Sequence, residues 1–460
     1  MQKRDPLHSF LPHTSTAVMR DFWSRSLPEL FGISEEIADC QIAYSRCRSF
    51  FKPASWHKSF INICYRLEVA GHEQPVILYG RGHLDGGSRK SFEQAQASDS
   101  NPASSSGMRW VPEMDMVIWR FPEDPGLPQL PQLLNPELAP QFLPLQQLGN
   151  IKPEQVNHVD IQVVRYRPEQ RCILRYEITH GKKNARNVLY AKVFNDGKGA
   201  QVFSRISHCH GLGVALGARV ARPVHYDPSM RTVWQEALTG TPPAEYLANG
   251  NYREIMQMTG SCLARLHAAR LPMNKTVSRK DRLADAIKKS CKLAQAFPEL
   301  SESLERLAGY LQARLPQLPP ARETVIHGDM HFGQFLIQPD GTLALFDFDE
   351  WSLGDPAQDL ADLIVDPHVR HHEHDRANVP KILLQDMIKV LLESYRLQGG
   401  KAADAAVDWH ARVQFINKAY RAAIQQEPAW RNKVPELVEF AMRGIVFEPS
   451  AESRSMPEEA

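Results

Sequence analysis

Apolar and polar positions alternate with period two through three stretches in the first quarter of the chain: 59–69 (SFINICYRLEV), 75–81 (PVILYGR) and 114–120 (MDMVIWR). Each predicts a half-buried strand. Residues 17–40 read as helical. Between the second and third strands, 86–107 is rich in Ser, Gly, Asn and Gln and reads as a flexible loop or disordered insert. Residues 121–153 hold many prolines and read as an irregularly packed linker. A second strand-rich block follows at 159–166, 172–179, 187–194 and 231–238. Turns at Pro168 and Gly181 separate its first three members, as in an antiparallel meander.

From Tyr252 the period changes to that of a helix. Ile255, Met258, Cys262, Leu263 and Leu266 mark one face of a helix over 252–270. Further helices are expected at 281–295, 298–314, 380–398 and 402–425, with Pro380 at a start and Gly399-Gly400 at a stop. Inside this helical half lies one strand-forming insertion, 323–326 with 334–338 and 342–347.

Composition narrows the function classes. The chain of 460 residues calls for two or three folded units. A formal net charge of +1 gives no global field toward nucleic acid or an anionic membrane surface. No apolar run reaches the ~18 residues of a membrane span, and residues 1–10 lack the apolar core of a secretory signal. The 7 cysteines are scattered without a CxxC pair, which argues for reduced thiols in the cytoplasm and against a disulfide framework or zinc site. His368, His371, His372 and His374 crowd one segment, but read as a solvated loop. His208-Cys209-His210 reads as a helix end.

The chemistry concentrates in 325–362, VIHGDMHFGQFLIQPDGTLALFDFDEWSLGDPAQDLAD. Asp329 lies in a short loop between two apolar strands. Gln334 follows where the chain becomes extended, and Asp347 ends the next strand after a Pro339-Asp340-Gly341 turn. The hairpin can bring Gln334 and Asp347 side by side, so that two oxygen ligands and one base converge. Phosphoryl transfer needs such a set: hard oxygens for Mg²⁺ and a carboxylate at the acceptor hydroxyl. Asp355 and Pro356 fit an N-cap followed by the first residue of a helix.

Three linked blocks here resemble the signature of the aminoglycoside phosphotransferase and choline kinase superfamily: His327-Gly328-Asp329-Met330-His331-Phe332-Gly333-Gln334, Phe346-Asp347-Phe348-Asp349 and Gly354-Asp355-Pro356-Ala357-Gln358-Asp359-Leu360-Ala361. Gln334 stands where the superfamily usually has Asn, as in maltokinase-like members. The resemblance implies an α+β, bilobal protein-kinase-like fold, with an antiparallel strand lobe and a mostly helical C-lobe. It implies ATP and Mg²⁺ as cofactors and a small-molecule hydroxyl substrate, with no nucleic acid or membrane partner. His327 and Asp329 become the candidate catalytic residues, with Asp329 as the base. Gln334 and Asp347 become the metal ligands, and Asp355 and Asp359 the structural support. Such a fold also carries a phosphate-binding lysine on its third strand, and Lys192 in LYAKVF fits. Arg171 follows a turn, Arg167–Arg171, that has no glycine to cradle phosphate. Glu236, Ala237 and Leu238 would offer backbone groups to adenine. The helix glutamate that usually pairs the lysine is missing: Asp196 is the only acid from 193 to 226, and Gln201 is the nearest polar substitute.

The resulting domain expectation is an N-terminal α+β cap over 1–150, a kinase-like N-lobe over 151–240, a helical C-lobe over 241–447 and a tail over 448–460. Residues 65–86 align with 176–197 at a constant offset of 111, with Tyr65, Tyr79 and Arg81 on Tyr176, Tyr190 and Lys192. A similar shift puts Ile118-Trp119 on Val233-Trp234. The cap is therefore expected to be a degenerate copy of the strand lobe that acts by packing. Five acids face seven bases over 380–427, a balance that disfavours a polycationic aminoglycoside and favours a sugar or amino alcohol. A second reading is a catalytically degraded nucleotide-binding or scaffold protein. The missing helix glutamate speaks for it, and the intact Asp329, Gln334 and Asp347 speak against it.

Overall fold

The computed structural model describes residues 9–48, 58–84, 86–98, 107–248, 251–271, 273, 275–370 and 381–445. The chain divides into two compact units. The first comprises Met1–Ser207, Arg222–Ala237 and Arg421–Trp430, and the second His208–Ala221, Leu238–Tyr420 and Arg431–Ala460.

Unit 1 contains two five-stranded sheets. Helix α1 (Thr16–Phe31) precedes sheet 1, which is built from β1 (Ile37–Arg48), β2 (Phe60–Val69), β3 (Val76–His83), β4 (Met108–Val111) and β5 (Met116–Arg120) in the order β1-β2-β3-β5-β4. Helix α2 (Gly87–Ser98) joins β3 to β4. Sheet 2 is built from β6 (Val156–Arg167), β7 (Arg171–His180) and β8 (Ala185–Phe194), then helix α3 (Gly199–Leu216). The short strand β9 (Ala218–Val220), which belongs to unit 2, precedes β10 (Pro223–Asp227) and β11 (Thr232–Glu236). Its order is β6-β7-β8-β11-β10, the order of sheet 1 strand for strand.

Alternation makes these strands. Along β7 each buried residue from Cys172 to Ile178 alternates with a half-buried one, so one face enters a core and the other does not. That core is shared by both sheets: Cys64 and Tyr79 meet Cys172, Leu174, Tyr176, Ile178, Leu189, Ala191, Val193 and Trp234 in one cluster.

Three sequence expectations are corrected in this unit. The helix over 17–40 ends at Phe31, and from Ile37 the chain is strand β1, because burial there alternates instead of following a helical face. The expected flexible insert contains α2, whose Gln, Ala and Glu residues are good helix formers. Ser88 is fully buried in its first turn and accepts the His83 amide. Residues 99–106 of that insert lie outside the described residues. The segment 121–153 is a packing element: two single-turn helices, Leu130–Leu133 and Ala139–Phe142, each open with proline, and Leu127, Leu130, Leu133 and Ala139 fill the shared core.

Unit 2 is mostly helical. It holds α4 (Tyr252–Ala268), α5 (Arg279–Ala296), α6 (Ser301–Arg314), α7 (Ala357–Arg370), α8 (Lys381–Leu397), most of α9 (Asp404–Gln425) and most of α10 (Trp430–Arg443). Two three-stranded sheets are set among them. One has the order β12-β16-β13, from β12 (Thr276–Val277), β13 (Thr324–Ile326) and β16 (Ser352–Gly354). The other has the order β14-β15-β9, from β14 (Phe335–Ile337) and β15 (Leu343–Leu345). The strand at 323–326 therefore does not pair with the 334–347 hairpin. It pairs with β16, which lies beyond the hairpin in sequence.

The fold is α+β, with antiparallel five-stranded sheets in unit 1 and a mostly helical unit 2. No helix among the described residues is long and apolar enough to cross a membrane. His208–His210 lie inside α3, where His210 Nδ1 is 2.9 Å from the Val220 carbonyl. His368 lies in α7 against Phe415 and Phe440, while His371, His372 and His374 fall outside the described residues.

Candidate active site

The His327–Gln334 loop leaves β13 and turns at once. Gly328 takes a φ of 81°, and a Cβ there would lie 2.6 Å from the Glu350 carbonyl oxygen, so only glycine fits. This turn aims two consecutive amides at one carboxylate. Asp359 accepts from His327 N–H at 2.6 Å and Gly328 N–H at 2.9 Å. His267 Nε2, from α4, lies 3.1 Å from the same carboxylate, and Tyr395 Oη is 2.9 Å from His267 Nδ1. Asp359 has no exposed surface. Burial alone would raise its pKa, but the bonds and charge of His267, with His327, hold the carboxyl below the ordinary range.

Asp329 is thereby presented at the surface of unit 2, while its neighbours His327 and Met330 are buried. The His327 ring is fixed by a 2.8 Å bond with the Phe346 carbonyl and packs on Phe348 and Trp351. It therefore braces the loop instead of reaching outward. His331 accepts the Gly333 amide at 3.0 Å and caps the single turn Phe332–Gln334.

The hairpin pairs the backbone at Gln334 with that just before Asp347. Phe335 pairs with Leu345 at the end of the β14–β15 ladder, and Phe346 N–H donates to the Gln334 carbonyl at 2.9 Å. The strand stops at Leu345, and Asp347 sits two residues beyond it with a φ of 57°. The Gln334 amide nitrogen reaches the Asp329 carbonyl at 3.4 Å, so its amide oxygen is the end that could face a metal. One carboxylate and one amide oxygen suit Mg²⁺, which takes one or two protein oxygens together with substrate phosphates.

Asp355 caps α7: its Oδ1 accepts from Ala357 N–H at 3.0 Å and its carbonyl accepts from Gln358 N–H at 2.9 Å. Its Oδ2 accepts from Arg279 Nε at 2.5 Å and lies 3.1 Å from His410 Nε2. Despite burial, His410 and Arg279 hold the Asp355 carboxyl far below the usual range.

Sequence reasoning missed Asp362 and Asp366. Asp366 accepts the Phe332 amide at 3.0 Å, and Asp362 lies 3.6 Å from Arg282. Both are buried. With Asp359 they stand three, four and seven residues apart on one helical face, a spacing that could have been read directly. His267, Tyr395, Arg279 and His410 left no local signal.

The nucleotide-binding candidates lie in unit 1, apart from Leu238. Lys192 is half-buried on β8, opposite Ile173 and Val233, with its ammonium 5.6 Å from the Phe194 ring. Arg171 opens β7 on the same face. Asp196 pairs with Lys198, and Gln201 is exposed in the first turn of α3. Two of the hinge amides are already bonded within the fold. Glu236 N–H is bonded to the Arg222 carbonyl and Ala237 N–H to the Val188 carbonyl, so neither amide is available to adenine. The Glu236 carboxylate pairs with Arg222. Leu238 begins the following segment, in unit 2.

Residues 198–379 match the model of the phosphotransferase enzyme family, and this agrees with the superfamily that the His-Gly-Asp motif resembles. An uncharacterized protein of Deinococcus radiodurans is 30% identical over 175 residues, 36% of this chain and 46% of that protein. The chain thus spans about half the length of this relative. Among solved structures, a choline/ethanolamine kinase family protein from Mesorhizobium loti is 16% identical at a TM-score of 0.43, covering 62% of this chain and 87% of the other. The macrolide 2'-phosphotransferase MphH from Brachybacterium faecium is 16% identical at 0.44, covering 68% and 100%.

Proposed function

We propose that this chain is an ATP-dependent phosphotransferase that moves the γ-phosphate to a hydroxyl of a small metabolite, a sugar or an amino alcohol. The observation that carries the reading is the loop itself. A buried, ionised Asp359 gathers the His327 and Gly328 amides and thereby presents the exposed Asp329. In that role Asp329 accepts the proton of the acceptor hydroxyl as the oxygen attacks phosphorus. Asp347 and Gln334 would hold Mg²⁺, which supplies charge neutralisation on the phosphates when bound. Lys192 and Arg171 would bind phosphate oxygens. A cytoplasmic location fits the free thiols, of which Cys40, Cys64, Cys172 and Cys262 are buried.

The way the acids are used supports this acceptor class. Asp386 pairs with Arg253 at 2.7 Å, Asp408 with Arg412 at 2.8 Å, Asp404 with Arg396 and Glu427 with Arg421 at 3.5 Å. Acids already neutralised by guanidinium groups offer little to a polycation. Trp409 and Phe415 are core residues with no exposed area, so neither offers a ring for stacking on a sugar. The test is a phosphorylation screen of sugars, amino alcohols and aminoglycosides with labelled ATP, with and without Mg²⁺. Mg²⁺-dependent labelling of a neutral or singly charged alcohol is expected. Efficient labelling of aminoglycosides alone would overturn the substrate class, and no labelling of any alcohol would overturn the enzyme.

A further inference from the structure

Sheets 1 and 2 share more than strand order. Tyr65 faces Leu78 across β2–β3, and Tyr176 faces Leu189 across β7–β8. The register stays aligned at the 111-residue offset from Phe60–His83 and Arg171–Phe194 through Arg66–Ile77 and Glu177–Val188. Both β1 and β6 carry two register shifts against their partners. In the fifth strands Gly80 faces Ile118 and Ala191 faces Trp234, so Ile118 matches Trp234, one position from the sequence alignment. Arg81 therefore holds in sheet 1 the position of Lys192 in sheet 2: one faces Asn62, the other Ile173.

The matched faces meet different fates. In sheet 2 the face of Arg171, Ile173, Tyr190 and Lys192 is half-buried. In sheet 1 the matching face enters the shared core through Cys64 and Tyr79, packed against the other face of sheet 2. At Tyr79, beside Arg81, that face is filled by core packing. The Arg81 guanidinium instead donates to the Glu169 carboxylate, while its Nε donates to Asn62 Oδ1 at 3.1 Å and it lies 5.3 Å from the Phe60 ring.

Glu169 is the tip of the glycine-free turn between β6 and β7, with a φ of 57°. The tip is held by several hydrogen bonds. Glu169 N–H donates to Asp124 Oδ2 at 2.9 Å, its carbonyl accepts from Asn195 Nδ2 at 2.7 Å, and the Gln170 side chain donates to Tyr44 Oη at 2.8 Å. Gly126 backs the turn so closely that a Cβ there would lie 2.5 Å from the Glu169 Cα. A glycine-rich loop wraps phosphate by adapting to it. This turn is pinned to sheet 1, and its Glu169 carboxylate is held by Arg81 two residues from Arg171.

We propose that Arg81 is a positioning residue for nucleotide binding: by pairing with Glu169 it neutralises that carboxylate and fixes the Arg167–Arg171 turn, so that Arg171 and not Glu169 meets the phosphates. The inference rests on the nucleotide roles given above to Arg171 and Lys192. The test measures Mg-AMP-PNP binding by calorimetry, and steady-state kinetics, on the full chain. Arg81→Ala weakens AMP-PNP binding about tenfold, because it unmasks a negative charge on the turn that carries Arg171. It raises KM for ATP and leaves kcat and KM for the acceptor in place. Arg81→Lys restores binding, and so does the double variant Arg81→Ala/Glu169→Ala, which removes the exposed carboxylate. Arg81→Met, which keeps a stem over Phe60, replaces the alanine variant if that one does not fold. Wild-type affinity in Arg81→Ala or Arg81→Met, or a double variant as weak as the single, overturns the inference alone. A wild-type chain that binds no AMP-PNP overturns the nucleotide reading as well.

Discussion

Replacing Asp359 by Asn tests the loop most directly. The carboxylate accepts from three donors, the His327 and Gly328 amides at 2.6 and 2.9 Å and His267 Nε2 at 3.1 Å, with no exposed surface. Asparagine keeps the shape, but it removes the charge and turns an NH₂ toward at least one N–H donor. Charge-assisted bonds are worth about 1.5–3 kcal/mol each, and orphaning a buried donor costs about 1–3 kcal/mol. The terms overlap, so a net local loss of about 3 kcal/mol is expected. At about 1.4 kcal/mol per decade, that is a rise of about a hundredfold in amide exchange at 327 and 328, with α6 amides unchanged. Turnover should fall as well, because Asp329 follows directly on these amides. The folded-state pKa of Asp359 is depressed, so its contribution is present above the unfolded carboxylate range and is lost as pH falls through the lower folded value. In the wild type, protection at these two amides should therefore fade only in acid. Unchanged exchange in the asparagine variant, with unchanged turnover, would refute the argument that this carboxylate builds the loop.

Asp329→Asn should leave folding and ATP binding intact while cutting turnover about 10²–10⁴-fold, the usual loss for a general base; near-normal turnover would remove Asp329 from that role. Asp347→Ala should abolish Mg²⁺-dependent ATP binding and Gln334→Ala should weaken it less, because a neutral amide contributes less than a carboxylate; unchanged Mg-ATP affinity in Asp347→Ala refutes the ligand assignment. Burial pushes the Asp362 carboxyl up to about 7, against the pull of Arg282, with Asp359 and Asp329 adding to the rise. A raised folded pKa means that its stability contribution is complete below pH ~4 and is lost as pH climbs to about 7. Asp362→Asn should flatten this stretch of a urea-midpoint against pH profile, and an unaltered slope would show that Asp362 does not titrate there.

The sequence alone determined whatever lies close together in the chain. Asp329, Gln334 and Asp347 sit on one loop and one tight hairpin, so their order and spacing fix their neighbourhood, and the ladder from Phe335–Leu345 to Ile337–Leu343 delivers it. The 111-residue repeat was legible for the same reason: period-two strands keep their faces, so equal spacing gives equal register. Tertiary structure decided whatever depends on distant partners. Strands of three residues such as β9 and β16 carry no period to read and exist only because β15 and β13 pair with them. The helix over 87–98 looked like a loop because its composition is polar, and Asp115 and His83 fix its first turn through Ser88. Arg81 looked like a lysine gone astray. Its role appeared only when Glu169, 88 residues away, was brought to its guanidinium. Local period sets which face a side chain takes, but the charge or donor that meets it there is chosen by packing, because burial leaves a polar group no partner except the one the fold supplies.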